Sequence, residues 1–143
     1  MSDSTSGAIE INAPVDVVVN VLADLASYPD WTEGMYDVEV LEDADGRPTR
    51  ARFSVSGGPI RDTVDIAYAW DPNRVSWTLL KGNTITTMNG CYSWQAAGAT
   101  TRVTYDLEIA LSMTVPSFLK RAAEKTIVTT ALQGLKKRAE GQR

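Results

Sequence analysis

Between Met35 and Ala110 apolar and polar residues alternate, and turn signals break the alternation roughly every 12 residues. Asp45-Gly46, Gly57-Gly58, Asp71-Pro72-Asn73, Gly82-Asn83 and Ala97-Gly98 are the breaks, and they delimit six predicted strands. The clearest runs from Ile60 to Trp70. It sets Ile60, Asp62, Val64, Ile66, Tyr68 and Trp70 on one face, against Arg61, Thr63, Asp65, Ala67 and Ala69 on the other. Thr101 to Ala110 repeats the logic, with Val103, Tyr105, Leu107 and Ile109 opposed to Thr104, Asp106 and Glu108. Short connections imply antiparallel neighbours, because parallel strands need long crossovers. Such a sheet keeps one face wet and buries the other.

Ahead of this region, Ala8 to Asn12 alternates and predicts a short opening strand with Ile9 and Ile11 on one face. Asn12-Ala13-Pro14 then starts a helix, because proline suits a first turn whose N–H groups are unpaired anyway. Val17, Val18, Val21, Leu22 and Leu25 form its apolar stripe. Ser27-Tyr28-Pro29-Asp30-Trp31 predicts a short second helical turn, with Pro29 and Trp31 forming a corner against the sheet edge. Pro116 to Ala139 predicts a long closing helix of about 36 Å. Its stripe reads Phe118, Leu119, Ala122, Ala123, Ile127, Ala131, Leu132 and Leu135. The chain is thus read as one α+β domain, residues 1–143, with a flexible tail at 1–7.

A seven-stranded twisted sheet offers more concave surface than one helix covers. The facing helix carries small residues, Ala122, Ala123, Thr126, Thr130 and Gly134, while the sheet supplies Phe53, Tyr68, Trp77, Met88, Tyr92 and Tyr105. Two outcomes follow from this mismatch: the aromatics fill the core, or an apolar cavity is left between helix and sheet.

Charge and composition narrow the chemistry. The formal net charge is −4, which disfavours a nucleic-acid partner. The sequence contains no histidine, which removes the commonest general base, Ser-His and Cys-His nucleophiles and most zinc sites. No metal or cofactor is expected. Cys91 stands alone, so no internal disulfide forms, and a reducing, cytoplasmic setting fits. The polar Met1–Gly7 lacks the features of a signal peptide, and no apolar run reaches the ~20 residues of a membrane span. A soluble protein without stable membrane insertion is expected.

Three stretches resemble a known superfamily. Ile11 to Trp31 (INAPVDVVVNVLADLASYPDW) is similar to the opening strand, first helix and Tyr-Pro-x-Trp corner of the helix-grip, START-like (SRPBCC) proteins. Gly90-Cys91-Tyr92-Ser93-Trp94 with Thr100 to Tyr105 resembles their closing hairpin. Val115-Pro116-Ser117-Phe118-Leu119 resembles the start of their C-terminal helix. This superfamily includes the birch-pollen-allergen fold and the polyketide cyclase/dehydrase-like branch, which this chain resembles most. The resemblance implies a curved seven-stranded antiparallel sheet, two short helices and a long C-terminal helix over an apolar cavity. It further implies a lipid, small aromatic or polyketide-like ligand. Some members are aromatase/cyclases; others carry ubiquinone-like lipids, sense hormones or bind membrane lipids.

The expected ligand-binding residues are Phe53, Asp62, Val64, Ile66, Tyr68, Trp77, Leu79, Met88, Tyr92, Tyr105, Leu107, Phe118, Ala122 and Thr126. Asp62, on an apolar strand face, is a candidate general acid or base if it is desolvated there, or a solvated residue at a strand end. Tyr105 is the second catalytic candidate, and the cavity tyrosines otherwise serve as hydrogen-bond donors or as plain core. Arg61 and Arg102 fall on wet faces, so no arginine points inward, a departure from aromatase-type members. Three readings stay open: a carrier of a hydrophobic small molecule, a cyclase or dehydratase, and a partner-binding regulator. The oligomeric state is not legible.

Overall fold

The computed structural model describes residues 4–32, 34–57 and 60–142. In chain order the elements are β1 (Thr5–Ile11), α1 (Val15–Ala23), a 3-10 turn (Leu25–Ser27), α2 (Tyr28–Trp31) and β2 (Met35–Ala44). There follow β3 (Arg47–Gly57), β4 (Ile60–Asp71), β5 (Arg74–Lys81), β6 (Ile85–Ala97), β7 (Thr100–Leu111) and α3 (Ser117–Gln142). The strands form one sheet in the order β1-β7-β6-β5-β4-β3-β2, and every neighbouring pair is antiparallel. This is the α+β helix-grip arrangement.

Local chemistry accounts for the meander. The β2–β3 turn places Asp45 at φ 54° and Gly46 at φ 78°, a left-handed pair that matches strand twist. Gly98 at φ 68° turns β6 into β7. Gly58 of the expected Gly57-Gly58 turn lies outside the described residues. Register shifts in β2, between Asp65 and Ile66 in β4, and between Ile85 and Thr87 in β6 bend the sheet toward its concave face.

Three expectations change. The opening strand begins at Thr5, not Ala8, so Thr5–Gly7 are not part of a flexible tail. Thr5 to Ile11 pairs with Leu107 to Thr101, and these long-range ladder bonds leave no trace in local patterning. Both helix-starting prolines sit one residue before the first helical residue. The Pro14 carbonyl accepts from the Val17 and Val18 amides, and the Pro116 carbonyl from those of Leu119 and Lys120. The long helix runs on to Gln142, and its buried stripe is not the expected one.

Along α3 the buried residues are Glu124, Val128, Ala131, Leu132, Leu135 and Ala139, while Phe118, Leu119 and Ile127 are exposed. The helix packs mainly on β1 and β7, at one edge of the sheet, rather than over its centre. A Cβ added at Gly7 would come within 2.8 Å of Val128 Cγ1, so α3 lies directly on the β1 backbone there. Gly134, expected to face the sheet, instead accommodates the corner. A Cβ at that position would fall 2.1 Å from the Trp31 carbonyl oxygen. The Pro29–Trp31 corner is thereby locked against α3 as well as β2.

Candidate ligand cavity

Because α3 is docked at one edge, the concave face of β3 to β7 is only partly covered. A cavity of about 620 Å³ remains between them. Its floor is built by inward positions of successive strands: Phe53 and Val55, Ile66 and Tyr68, Trp77, Ile85, Met88 and Tyr92, then Tyr105, Leu107, Ile109 and Leu111. Tyr28 closes one end, and Ala122, Ala123, Thr126, Ile127, Thr130 and Ala131 of α3 form the other wall. The cavity is the seam between two buried apolar clusters. Tyr92, Tyr105, Leu107 and Ala131 belong to one, and Tyr28, Phe53, Ile66 and Ile85 to the other.

Aromatic rings run continuously along this seam. Ring centroids lie 6.3 Å apart for Tyr28–Phe53, 6.4 Å for Phe53–Tyr68, 6.0 Å for Tyr68–Trp77, 5.4 Å for Trp77–Tyr92 and 4.3 Å for Tyr92–Tyr105. All but the closer Tyr92–Tyr105 pair fall within the roughly 4.5–7 Å range of favourable ring pairs. Trp77 lies flat across the β6 backbone at Gly90, where an added Cβ would stand 2.2 Å from the indole. Glycine at that position is what lets the indole lie down as part of the wall.

The polar groups in the wall are few and uncharged. Among the described residues lining the cavity there is no Asp, Glu, Lys or Arg. The Tyr28 hydroxyl donates to the Leu22 carbonyl at 2.6 Å and is occupied. The Tyr68, Tyr92 and Tyr105 hydroxyls have no hydrogen-bond partner among the described residues. Burial raises the pKa of Tyr68, Tyr92 and Tyr105, with neighbouring tyrosines adding to the effect for the first two. All three therefore stay protonated at neutral pH and present O–H donors. The Thr130 hydroxyl donates to the Thr126 carbonyl at 2.8 Å within α3, and the Thr32 hydroxyl is buried without a partner among the described residues.

Of the expected site residues, Phe53, Ile66, Tyr68, Trp77, Met88, Tyr92, Tyr105, Leu107, Ala122 and Thr126 meet on this wall. Four do not. Val64 is fully buried in the second cluster, and Leu79 packs against that cluster. Phe118 projects outward from α3. Asp62 is buried but turned to the β5–β6 loop. Its carboxylate accepts from the Thr63 amide at 2.8 Å, the Asn83 amide at 3.0 Å and the Ile85 amide at 2.8 Å. It caps a loop, a role that the alternation of β4 does not reveal. Among the lining residues not anticipated, Val55 and Ile109 are in phase with named neighbours, so strand period was the available signal, whereas Ile85 is out of phase with Met88 and Tyr92 and reaches the wall through the register shift between Ile85 and Thr87. Tyr28 is brought in by tertiary packing, while Thr130 was among the small helix residues expected to face the sheet.

A second depression of similar volume, about 620 Å³, lies between α2 and the end of α3. Asp30, Lys137 and Arg138 line it and it is wide open to solvent, so it lacks the dry wall of the first. Among the described residues no cluster of His, Cys, Asp and Glu is placed to hold a metal ion.

Residues 3–140 match the profile of the family described as polyketide cyclase / dehydrase and lipid transport. The chain belongs to this family. The fold of this family member is shared with a START superfamily protein from Mycobacterium smegmatis. The two are 22% identical over 97% of this chain and 95% of the other, with a TM-score of 0.81. A protein from Thermus thermophilus is similar to the same degree, at 21% identity, 97% and 98% coverage and a TM-score of 0.81. The Zhui aromatase/cyclase from a Streptomyces species, strain R1128, is 20% identical over 97% and 94% of the two chains, with a TM-score of 0.77. At these identities the likeness is one of fold. A search of curated proteins by sequence finds no match. No helix among the described residues is long and apolar enough to cross a membrane.

Proposed function

We propose that this family member binds or carries an uncharged hydrophobic small molecule, lipid or polyketide-like, in the cavity between sheet and α3. The observation that supports this most is a 620 Å³ apolar hollow whose wall offers three tyrosine hydroxyls without protein partners. Apolar surface supplies affinity at roughly 25 cal/mol per Å² buried, and the hydroxyls orient a ligand through its carbonyl or ether oxygens. A carboxylate would enter a wall without a cation and would lose its hydration uncompensated, which costs several kcal/mol. A cytoplasmic setting suits the unpaired Cys91.

Proton-transfer chemistry, as in a polyketide cyclase or dehydratase, finds less support in this site. Asp62 spends its oxygens on backbone amides, and burial holds the tyrosines in the protonated form, so they donate hydrogen bonds rather than abstract protons. Titration of Trp77 fluorescence with anthraquinone and with its 2-carboxylate tests the binding reading. The neutral ketone is expected to bind and the carboxylate to bind at least tenfold more weakly. Tyr68→Phe, Tyr92→Phe and Tyr105→Phe should each weaken the ketone while leaving stability within about 0.5 kcal/mol, since no protein hydrogen bond is lost. Absence of ketone binding, together with no ligand retained by the purified protein in native mass spectrometry, would defeat the proposal.

A further inference from the structure

The first half of α3 borders the cavity on one side and solvent on the other, and its surface differs from the rest of the chain. Met113, Phe118, Leu119 and Ile127 are 44%, 72%, 49% and 38% exposed. Large apolar side chains gathered this closely on a surface mark a contact site. They are accompanied by cations. Phe118, Arg121 and Lys125 follow the spacing that places residues on one helix face. Arg121 and Lys125 are exposed and have no ion-pair partner among the described residues.

Acidic charge is missing from the outside of this segment. Its one acid, Glu124, is 1% exposed and turned inward. It accepts from the Thr5 hydroxyl and the Ile109 amide, both at 2.9 Å, and lies 3.9 Å from Lys120. Exposed Phe118 thus shares the outer face with Arg121 and Lys125, with no exposed acid among the described residues of 112–127, on a chain of formal net charge −4, while Leu119 and Ile127 turn toward the cavity side of the helix. At the far end of α3 two of the cations, Lys136 and Arg138, are engaged instead. Lys136 binds Glu140 and the Glu10 carbonyl, and Arg138 lies 3.8 Å from Asp30.

We propose that the 112–116 loop and the first turns of α3 form a docking surface for an anionic lipid bilayer. The shape favours a bilayer over a protein partner. Phe118 stands out from a helix rather than sinking into a groove, and a headgroup layer admits such a protrusion without a matching pocket. Apolar side chains then enter the headgroup boundary while Arg121 and Lys125 meet lipid phosphates and carboxylates. The Ser112 amide donates to the Thr84 carbonyl at 2.8 Å, so the loop is tied to the sheet and presents its side chains from a fixed base. The inference goes beyond ligand binding and stands apart from it, since docking is read on vesicles and cavity occupancy without them.

Co-sedimentation with vesicles of phosphatidylcholine alone, and of phosphatidylcholine mixed with phosphatidylserine, tests this. Binding is expected only to the mixed vesicles and should weaken with salt. Arg121→Gln with Lys125→Gln should lower it about 30-fold, at roughly fivefold per charge near the surface. Phe118→Ser should lower it further at high salt, where the apolar contribution is what remains. Arg102→Gln serves as the control. It lies nine residues along β7 from Leu111, about 30 Å away, and should leave binding unchanged. All these positions are exposed, so circular dichroism should show an intact fold. Equal binding to both vesicle types, or an equal loss with Arg102→Gln, would overturn the proposal. Failure on vesicles with a dimer that Phe118→Ser dissociates would assign the surface to a second copy. Failure on vesicles with capture by an acidic protein that needs Arg121 would assign it to that partner.

Discussion

Gly90→Ala is the sharpest perturbation of the cavity that leaves the backbone undisturbed. Gly90 lies within β6, opposite Trp77 on β5, and needs no left-handed φ, so alanine is acceptable to the main chain. The obstacle is the side chain across the way. The new Cβ would stand 2.2 Å from Trp77 Cε2 and Cζ2 and 2.6 Å from Nε1. Restoring an ordinary contact of 3.4 Å requires the indole to retreat by about 1.2 Å. Its only free direction is into the cavity, toward Tyr68, Tyr92 and Tyr105, whose ring centroids lie 6.0, 5.4 and 5.7 Å away. In a filled core such an insertion costs about 1–3 kcal/mol. Here the indole moves into open space, so the stability loss should stay near the lower end, about 1 kcal/mol. Ligand affinity should suffer more. A guest occupying the centre of the seam loses room, and a tenfold weakening corresponds to about 1.4 kcal/mol. Denaturant unfolding gives the first quantity and fluorescence titration with anthraquinone the second. A loss of more than about 3 kcal/mol in stability with unchanged affinity would show that Trp77 does not border free space, and would refute the reasoning.

Other consequences follow from the buried polar groups. Asp62→Asn removes the charge that gathers the Thr63, Asn83 and Ile85 amides, and should cost about 1.5–3 kcal/mol with faster amide exchange at Asn83 and Ile85. Unchanged stability with lost ligand binding would instead return Asp62 to the site. Glu124→Ala strands the Ile109 amide and the Thr5 hydroxyl. A loss of about 1–3 kcal/mol is expected, with faster amide exchange at Ile109; an unaltered exchange rate there would contradict the assigned bond. Tyr28, Tyr68, Tyr92 and Tyr105 all have raised pKa values, first through burial. The unfolded chain releases these protons near pH 10 while the folded chain holds them. Stability is therefore full below about pH 10 and falls above it, by up to ~1.4 kcal/mol per pH unit for each tyrosine. Denaturant midpoints measured across that range check this, and phenolate absorbance from four or more tyrosines before unfolding would disprove it.

The residue pattern determined a good deal without help. Alternation along β4 and β7 identified the inward faces, so Ile66, Tyr68, Tyr105 and Leu107 were legible as wall residues. Turn chemistry at Asp45-Gly46 and Ala97-Gly98 set the meander, and the absence of histidine bounded the chemistry. A period of two tells which side chains share a face, because strand geometry is local. It does not tell whether that face meets protein or empty space. That was decided by where α3 docks, on β1 and β7 at the sheet edge, which turned Phe118 outward and left the hollow only partly covered. The tertiary structure also decided the role of Asp62, since its Asn83 and Ile85 amide partners lie 21 and 23 residues away in the chain. The start of β1 at Thr5 likewise depends on hydrogen bonds to β7, whose residues lie far along the chain, Thr5 opposite Leu107. Local periodicity follows from neighbouring residues, whereas empty volume and long-range partners exist only once distant segments have met.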